Sequence, residues 1–363
     1  MIHTLKGNWR DNTHEDLGGV RREKTACVVR YGAFGDMIML SSILPILKEE
    51  GYRVCVNTEP RGRDILLHDP NVDEWLLQEK GQVEPTELNE YWDHISPMFD
   101  RFINLTGSVE GRCLASGPRA QMVGGEMKIL PARPEYFLSY AERQEKYSMN
   151  YIEETHRIAG VRFEHRPQFH PSYDELRKAR FTLDRIRNRG IDRVVLWVLT
   201  GSSGHKMYPL MDRAIAEIML TKPKRTAIVF VGDEACQWLE APWRDEPNVI
   251  RKSGKLSIRE TMTLAKLADV VVGPETGVLN AVSMERNRKV VLLSHSSIEN
   301  LTKHWVNTVS LHTDAPCYPC HQLHLSVREC PLDDETQMPV CTSIDPSQVV
   351  EAIMSRSRLR KTA

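Results

Sequence analysis

Short apolar runs alternate with amphipathic segments through the first half of the chain. Runs with strand character occupy residues 26–31, 52–57, 72–77 and 101–105. Residues 37–50, between the first two runs, have the spacing of an amphipathic helix. Strands that alternate with helices are typical of βαβ units, so we expect a mostly parallel sheet. Residues 78–97 and 107–134 are rich in Gly, Pro and charge and are predicted as long loops.

The alternation restarts after residues 165–171, a segment with two prolines and little apolar content that is predicted as a linker. Helices are predicted at 173–189, 210–220, 258–267 and 276–284, and strands at 193–199, 226–231, 269–273 and 289–293. The pattern predicts an α/β protein with two Rossmann-like, doubly wound domains, residues 25–170 and 171–345. A loosely ordered polar arm is expected at residues 1–24, and a C-terminal helix within residues 346–363.

Bulk composition agrees with a globular protein of this size. The chain has 363 residues, of which 27% are charged, and a formal net charge of −1. This balance lacks the basic footprint of a nucleic-acid-binding protein, so a nucleic-acid partner is disfavoured without being ruled out. The sequence contains no apolar run long enough to span a bilayer and no signal-peptide core. A cytoplasmic location is expected, and a peripheral membrane contact stays open.

A glycine turn ending in an acid follows the first predicted strand. Residues 30–36 read Arg-Tyr-Gly-Ala-Phe-Gly-Asp and directly precede the helix predicted at 37–50. Asp36 should therefore lie at the carboxyl edge of the sheet, where open α/β sheets bind ligands. One interpretation is that Asp36 caps the helix, since Asp is a favoured capping residue. The other is that its carboxylate performs chemistry.

A second small-residue turn, residues 200–206, follows the first strand of the second half. Backbone N–H groups in such a turn can approach a phosphate, and Thr200, Ser202 and Ser203 add hydroxyl donors. Lys206 could place a positive charge on a diphosphate. The alternative is that these residues form only a turn.

A third segment, residues 269–280, joins a buried strand to a helix. Glu275, Thr276, Gly277 and Asn280 are bunched at its sheet edge. The free N–H groups of the helix start would favour an anionic ligand. A helix capped by Thr276 would explain that residue but would leave the acid and the amide unexplained.

Taken in order, these segments resemble the ADP-heptose:lipopolysaccharide heptosyltransferase family, inverting glycosyltransferases of GT-B fold. The matching stretches, which run from about residue 27 to about residue 353, are Arg30 to Pro45, Gly201 to Pro209, Phe230 to Glu234, Ala268 to Asn280 and Pro316 to Cys320. Three positions depart from the family pattern. Tyr208 replaces a Trp, and Glu275 and Asn280 replace the Asp and His of an Asp-Thr-Gly-x-x-His box, so the donor sugar need not be heptose.

The resemblance implies two Rossmann-like domains facing a cleft, with the C-terminal helix of residues 346–363 packing back on the first domain. It also implies transfer of a sugar from a nucleotide-diphosphate donor, ADP-linked in the family, to a carbohydrate or glycolipid hydroxyl. Asp36 would be the general base. The implied donor-binding residues are Gly35, Thr200, Ser202, Ser203, Lys206, Glu234, Glu275, Thr276, Gly277 and Asn280. No cofactor or metal is needed for such catalysis. The alternatives are a glycosyltransferase acting on modified nucleic acid or protein, and a non-catalytic nucleotide-sugar-binding protein.

Four cysteines near the C-terminus have the spacing C-x2-C-x9-C-x10-C: Cys317, Cys320, Cys330 and Cys341. Four thiolates can close a tetrahedral zinc site, although only one half here is the tight Cys-x-x-Cys pair. His312, His321 and His324 are alternative ligands. A structural zinc within the Cys-rich loop 316–341 and unlinked or paired cysteines are both consistent with this spacing.

Overall fold

A computed structural model describes residues 2–4, 7–13, 23–79, 81–109, 112–123, 126–221, 225–324 and 326–355. The chain divides into two compact units. The first comprises Met1–Phe137 and Met149–His170, and the second comprises Leu138–Ser148 and Pro171–Ala363. The segment Leu138–Ser148, expected in the first domain, therefore belongs to the second.

The first unit contains a five-stranded parallel sheet. Its strands are β1 (Ile2–Thr4), β2 (Thr25–Val29), β3 (Arg53–Thr58), β4 (Glu74–Leu77) and β5 (Arg101–Asn104), in the order β1-β4-β3-β2-β5. A short strand β6 (Ala115–Ser116) and an antiparallel hairpin of β7 (Arg119–Val123) and β8 (Glu126–Leu130) follow. The winding direction reverses beside β2, which makes its carboxyl end a topological switch point.

The second unit contains a six-stranded parallel sheet. Its strands are β9 (Arg193–Val198), β10 (Thr226–Val231), β11 (Val249–Arg251), β12 (Val270–Pro274), β13 (Arg288–Leu292) and β14 (Thr308–Leu311), in the order β11-β10-β9-β12-β13-β14. The winding reverses between β9 and β12, so the loops after these strands meet at the switch point. The continuous apolar run of β10 is buried throughout, as expected for a parallel strand covered on both faces. A further short strand is β15 (Gln322–Leu323).

The helices are α1 (Phe34–Leu40), α2 (Leu44–Glu49), α3 (Pro60–Leu66), α4 (Leu88–Ile95), α5 (Tyr140–Lys146), α6 (Tyr151–Ala159), α7 (Tyr173–Arg187), α8 (Met211–Thr221), α9 (Gln237–Glu240), α10 (Ile258–Leu267), α11 (Gly277–Ala281) and α12 (Pro346–Met354). Within the described residues, none of the helices is both long and apolar enough to cross a membrane. The predicted loops at 78–97 and 107–134 are only partly correct, because the first contains α4 and the second contains β6, β7 and β8.

Residues 2–4 and 7–13 of the N-terminal arm contact the first unit, which its polar composition did not predict. Strand β1 pairs with β4 at the edge of the first sheet. Trp9 is buried in an apolar cluster with Leu76, Tyr91 and Ile95, and the Arg10 guanidinium lies 4.2 Å from the centroid of the Trp9 ring. One buried indole can anchor a polar segment because it removes a large apolar area from water. The rest of the arm, residues 5–6 and 14–22, lies outside the described residues.

The final helix belongs to the second unit. Val349 and Ile353 of α12 are fully buried in the apolar core that also contains Ile215 and Ile218 of α8. Its apolar face packs on α8, and packing of the helix on the first domain stays a prediction. The basic tail, residues 356–363, lies outside the described residues.

Candidate functional site

The Asp36 carboxylate is held by two contacts within the first unit. Its Oδ1 lies 2.5 Å from Nη2 of Arg30, and its Oδ2 accepts a hydrogen bond of 2.8 Å from the Ala33 N–H. The guanidinium side chain is 2% exposed and the carboxylate side chain 12% exposed. Asp36 accepts from one backbone N–H at the start of α1, but it is not the N-cap residue that the capping interpretation predicts. It accepts this hydrogen bond from the third helical position, since the N-cap residue is Ala33.

Two glycines shape this turn. A Cβ atom on Gly32 would lie 2.7 Å from Oδ2 of Asp36, so the carboxylate can fold over the turn only because Gly32 has no side chain. Gly35, predicted among the donor-binding residues, lies in the first turn of α1 beside Asp36. The sequence indicated the turn and the acid, but not the buried arginine beneath it.

The loop carrying Lys206 is a tight turn in the second unit. Thr200 and Met207 form an isolated antiparallel bridge, and the Gly201 N–H donates to the Lys206 carbonyl at 2.9 Å. A Cβ atom on Gly201 would lie 2.7 Å from Cδ of Lys206, so the lysine stem packs directly on this glycine. The loop follows β9, which places Lys206 at the switch point of the second sheet.

The three hydroxyl residues of this loop differ in their contacts. Thr200 Oγ1 lies 3.2 Å from Sγ of Cys236, and Ser203 Oγ lies 3.2 Å from Nε2 of His205. Ser202 is exposed. Glu234, on the loop after the neighbouring strand β10, is also exposed. These residues are therefore distributed along one sheet edge of the second unit.

Glu275 is an internal anchor of the second unit. Its side chain is buried, and its Oε1 accepts hydrogen bonds from the N–H groups of Ser294, His295 and Ser296 at 2.8, 3.2 and 3.2 Å. Its Oε2 lies 3.1 Å from Nε2 of His295. The carboxylate thus fixes the loop that follows β13. The resemblance to a donor-site acid gave no indication of this structural role.

Thr276, Gly277 and Asn280 follow Glu275 at the start of α11. Thr276 is the N-cap residue, but its side chain makes no capping hydrogen bond. Its buried Oγ1 finds no hydrogen-bond partner in the part of the chain that the structure describes. The Asn280 amide donates to the Thr276 carbonyl at 3.1 Å. Side-chain capping therefore does not account for Thr276, whereas Asn280 is engaged within the turn.

Two buried histidines lie close to Lys206: His205, its neighbour in sequence, and His295, which the sequence did not indicate. The rings of His205 and His295 are 5.0 Å apart between centroids. Burial, followed by the nearby His295 and Lys206, lowers the pKa of His205 to about 2. Burial and Lys206 also lower the pKa of His295 well below its usual value. Both imidazoles are therefore neutral at pH 7.

The four C-terminal cysteines lie in one region of the second unit. Burial raises the pKa of Cys320 to about 12, and the neighbouring Cys317 and Cys330 add to this shift. Burial and then the other three thiols raise the pKa of Cys341. All four are free thiols, and no three of their sulfurs lie within 4.8 Å of one another among the described residues.

Helix α5 holds the loop that contains the first two of these cysteines. The Tyr140 hydroxyl donates to the Tyr318 carbonyl at 3.0 Å, and the Gln144 amide donates to the Pro319 carbonyl. Nε of Arg143 donates to the Cys320 carbonyl at 2.8 Å. The segment Leu138–Ser148 therefore orders the Cys-x-x-Cys loop through three successive carbonyls.

Comparison with known proteins identifies the type of fold. No family model and no curated protein matches the sequence. Among solved structures, a glycosyl transferase of family 9 from Veillonella parvula DSM 2008 has a TM-score of 0.62 at 13% identity, over 91% of this chain and 95% of that one. ADP-heptose lps heptosyltransferase II of E. coli has a TM-score of 0.55 at 15% identity, over 90% and 97%. The chain has the GT-B glycosyltransferase fold.

A third solved structure is similar in fold. The iron-containing dodecameric glycosyltransferase TibC from enterotoxigenic E. coli H10407 has a TM-score of 0.52 at 13% identity, over 92% of this chain and 76% of that one. The predicted α/β class with two Rossmann-like halves is confirmed by these neighbours and by the two parallel sheets. The GT-B chain described here presents Asp36 after the switch-point strand of one unit and Lys206 after that of the other.

Proposed function

We propose that this chain is an inverting glycosyltransferase that moves a sugar from a nucleotide-diphosphate donor to a hydroxyl of a carbohydrate or glycolipid acceptor. One observation carries the proposal. Each Rossmann-like unit presents a charged side chain at the switch point of its own sheet: the Asp36 carboxylate after β2 and the Lys206 ammonium after β9. Loops at this position are where doubly wound sheets bind ligands.

In the proposed reaction Asp36 is the catalytic base. Its carboxylate takes the proton of the acceptor hydroxyl while that oxygen attacks the anomeric carbon of the donor sugar. The bond from this carbon to the diphosphate oxygen breaks, and the nucleoside diphosphate leaves with the electron pair. Attack from the face opposite the leaving group inverts the anomeric configuration.

Lys206 and its loop would stabilise the departing diphosphate. An ammonium and N–H or O–H donors aimed at developing phosphate charge are the usual means of assisting such a leaving group. Ser202, Ser203 and the Thr276 hydroxyl supply further donors in this proposal, and the exposed Glu234 supplies a nucleoside contact. The solved neighbours include a heptosyltransferase named for ADP-heptose, which makes an ADP-linked sugar the first donor to test.

Two substitutions test these roles. Asp36→Ala should lower kcat by roughly 10²–10⁴-fold, the usual contribution of a general base, while donor affinity stays unchanged. Lys206→Ala should weaken binding of ADP by roughly 10–100-fold, as expected for loss of a charge-assisted contact. Asp11→Ala and Lys303→Ala, which remove charges elsewhere on the two units, are the controls. A fully active Asp36→Ala variant would refute the transferase mechanism.

The donor can be identified before any acceptor is known. Thermal shift measurements with ADP-, GDP-, UDP- and CDP-linked sugars should show one nucleotide class that raises Tm, because a ligand that binds only the folded state stabilises it. The same rise should be smaller in Lys206→Ala and kept in Asp36→Ala. If none of the donors shifts Tm, the proposed donor site is wrong.

The four cysteines are further proposed to hold a structural metal, with zinc as the expected ion. Besides burial, Cys317 and Cys330 help to raise the pKa of Cys320, and all three help to raise that of Cys341, which supports the assignment because such effects act between nearby thiols. The sulfurs must move closer together to share one ion, since no three of them lie within 4.8 Å of one another in the part of the chain that the structure describes. Zinc would bind the cysteines as thiolates, which removes the buried thiol protons. The bound ion would also stabilise the loop that α5 contacts. Elemental analysis should find one zinc per chain, lost in Cys330→Ser. Iron in its place would match the iron-containing TibC.

A further inference from the structure

We infer that Arg30 is the residue that positions Asp36 for catalysis. The inference rests on the proposed role of Asp36 as the base. Arg30 is the first residue after strand β2, and its guanidinium is 2% exposed beneath the turn. One end of the guanidinium donates to the Leu105 carbonyl, and the other lies 2.5 Å from Oδ1 of Asp36.

The backbone of Arg30 is fixed by the neighbouring strand. Its N–H donates to the Asn57 carbonyl at 3.0 Å, and its carbonyl accepts from the Thr58 hydroxyl at 2.8 Å. Leu105 is bound to the end of β2, because its N–H donates to the Val29 carbonyl at 2.9 Å. The guanidinium is thus fixed at both ends of its side chain, by the Arg30 backbone and by the Leu105 carbonyl. Its ion pair with Asp36 therefore restricts the position of the carboxylate.

Helix capping alone does not require this arrangement. The Ala33 N–H already meets Oδ2 of Asp36, so the start of α1 is served without the arginine. Burying a guanidinium is costly unless it is paired and hydrogen-bonded, and an apolar residue could fill the same space. A carboxylate offers about four acceptor positions, of which the Ala33 N–H uses one, and Oδ1 forms an ion pair with Arg30. The other acceptor positions of the Asp36 carboxylate can still receive a hydroxyl proton, because its side chain is 12% exposed.

Kinetics of Arg30→Met and Arg30→Lys test the inference. Arg30→Met keeps an unbranched apolar stem but removes the charge and the fork of the guanidinium, so Asp36 loses its ion-pair partner. Because a misplacement of about 1 Å can cost roughly 10²-fold, we expect a loss of that order in kcat with unchanged KM for the donor. Arg30→Lys should recover part of kcat, because it restores a cation under the carboxylate. If Arg30 only stabilises the fold, Arg30→Lys and Arg30→Met variants of equal Tm should have equal kcat.

Arg53→Met is the matched control. Arg53 forms an ion pair of 2.9 Å with the buried Glu74 in the same sheet, but at the opposite end of the strands. Its substitution should lower Tm without a selective loss of kcat. The inference is overturned if Arg30→Met keeps the wild-type kcat, or loses no more of it than Arg53→Met. Should Arg30→Met not fold, Arg30→Lys must still fall below Arg53→Lys in kcat.

A second comparison separates this inference from the proposed function. In an Asp36→Asn background, Arg30→Met should cause no further loss of activity, because residues that act as one unit are not additive. A fully active Asp36→Asn variant would overturn the proposed function itself. An inactive Asp36→Asn variant together with a fully active Arg30→Met variant would overturn only the role of Arg30.

Discussion

The buried carboxylate of Glu275 gives the sharpest stability prediction. Glu275→Ala leaves the N–H groups of Ser294, His295 and Ser296 without their acceptor. A buried N–H that loses its partner costs about 1–3 kcal/mol. The 2.8 Å bond should lie near the top of this range and the two 3.2 Å bonds near the bottom, which gives a total loss of about 4–5 kcal/mol.

Glu275→Gln separates the charge from the geometry. The amide oxygen can accept the same N–H groups, but hydrogen bonds to an ionised acceptor are about twice as strong as neutral ones, so a loss of about 2 kcal/mol is expected. Urea unfolding followed by tryptophan fluorescence measures both variants. The exposed Glu234 provides the control, since Glu234→Ala should be nearly neutral.

Donor affinity of the Glu275 variants shows whether this carboxylate also contacts the donor. If Glu275 acts only through the loop, Glu275→Gln should retain donor binding while losing stability. The reasoning is refuted if Glu275→Ala costs less than about 1 kcal/mol, a loss typical of substitutions outside buried networks. It is also refuted if Glu275→Gln abolishes donor binding at wild-type stability, because the acid would then contact the donor.

Three further outcomes are expected. Trp9→Ala should cost about 3–5 kcal/mol in urea unfolding, as for other buried aromatic truncations, whereas Trp238→Ala, at an exposed indole, should cost little. Gly32→Ala should lower kcat while leaving a cooperative thermal transition, because the new Cβ displaces the Asp36 carboxylate; an unchanged kcat would contradict the steric argument. Burial lowers the pKa of Lys289 to about 8, below its value of 10.5 in the unfolded chain, so the unfolded state binds more protons between these pH values. Stability should therefore rise with pH in this window relative to Lys289→Met, and thermal melts that show a parallel pH dependence for both proteins would contradict the shift.

Local sequence was sufficient for the strands and turns that carry the candidate site. The run before Asp36 and the runs at 193–198 and 226–231 are continuous and apolar, which is the pattern of parallel strands buried on both faces. Glycine turns after such strands mark sheet edges whatever the rest of the fold does. The α/β class and the two Rossmann-like halves could therefore be predicted.

Contacts between residues distant in sequence were decided only by the tertiary structure. Trp9 is buried against Tyr91, and α12 packs on α8, yet neither pairing leaves a local pattern. Residues Leu138–Ser148 lie within the sequence of one unit and belong to the other. A hydrophobic pattern indicates which face of a segment is buried but not which segment covers it, because burial of apolar area is non-directional.

The same distinction applies to the charged groups. The sequence by itself determined that Asp36 and Lys206 lie in turns after the first strand of each half, because loop position is set by local pattern. Only the strand order of the folded sheets shows that these strands lie at the switch points. Only the folded chain decided that Arg30 supports the first carboxylate and that Glu275 holds the loop after β13. The partner of a buried charge is selected by the three-dimensional packing around it, since an unpaired charge in that setting would be strongly destabilising.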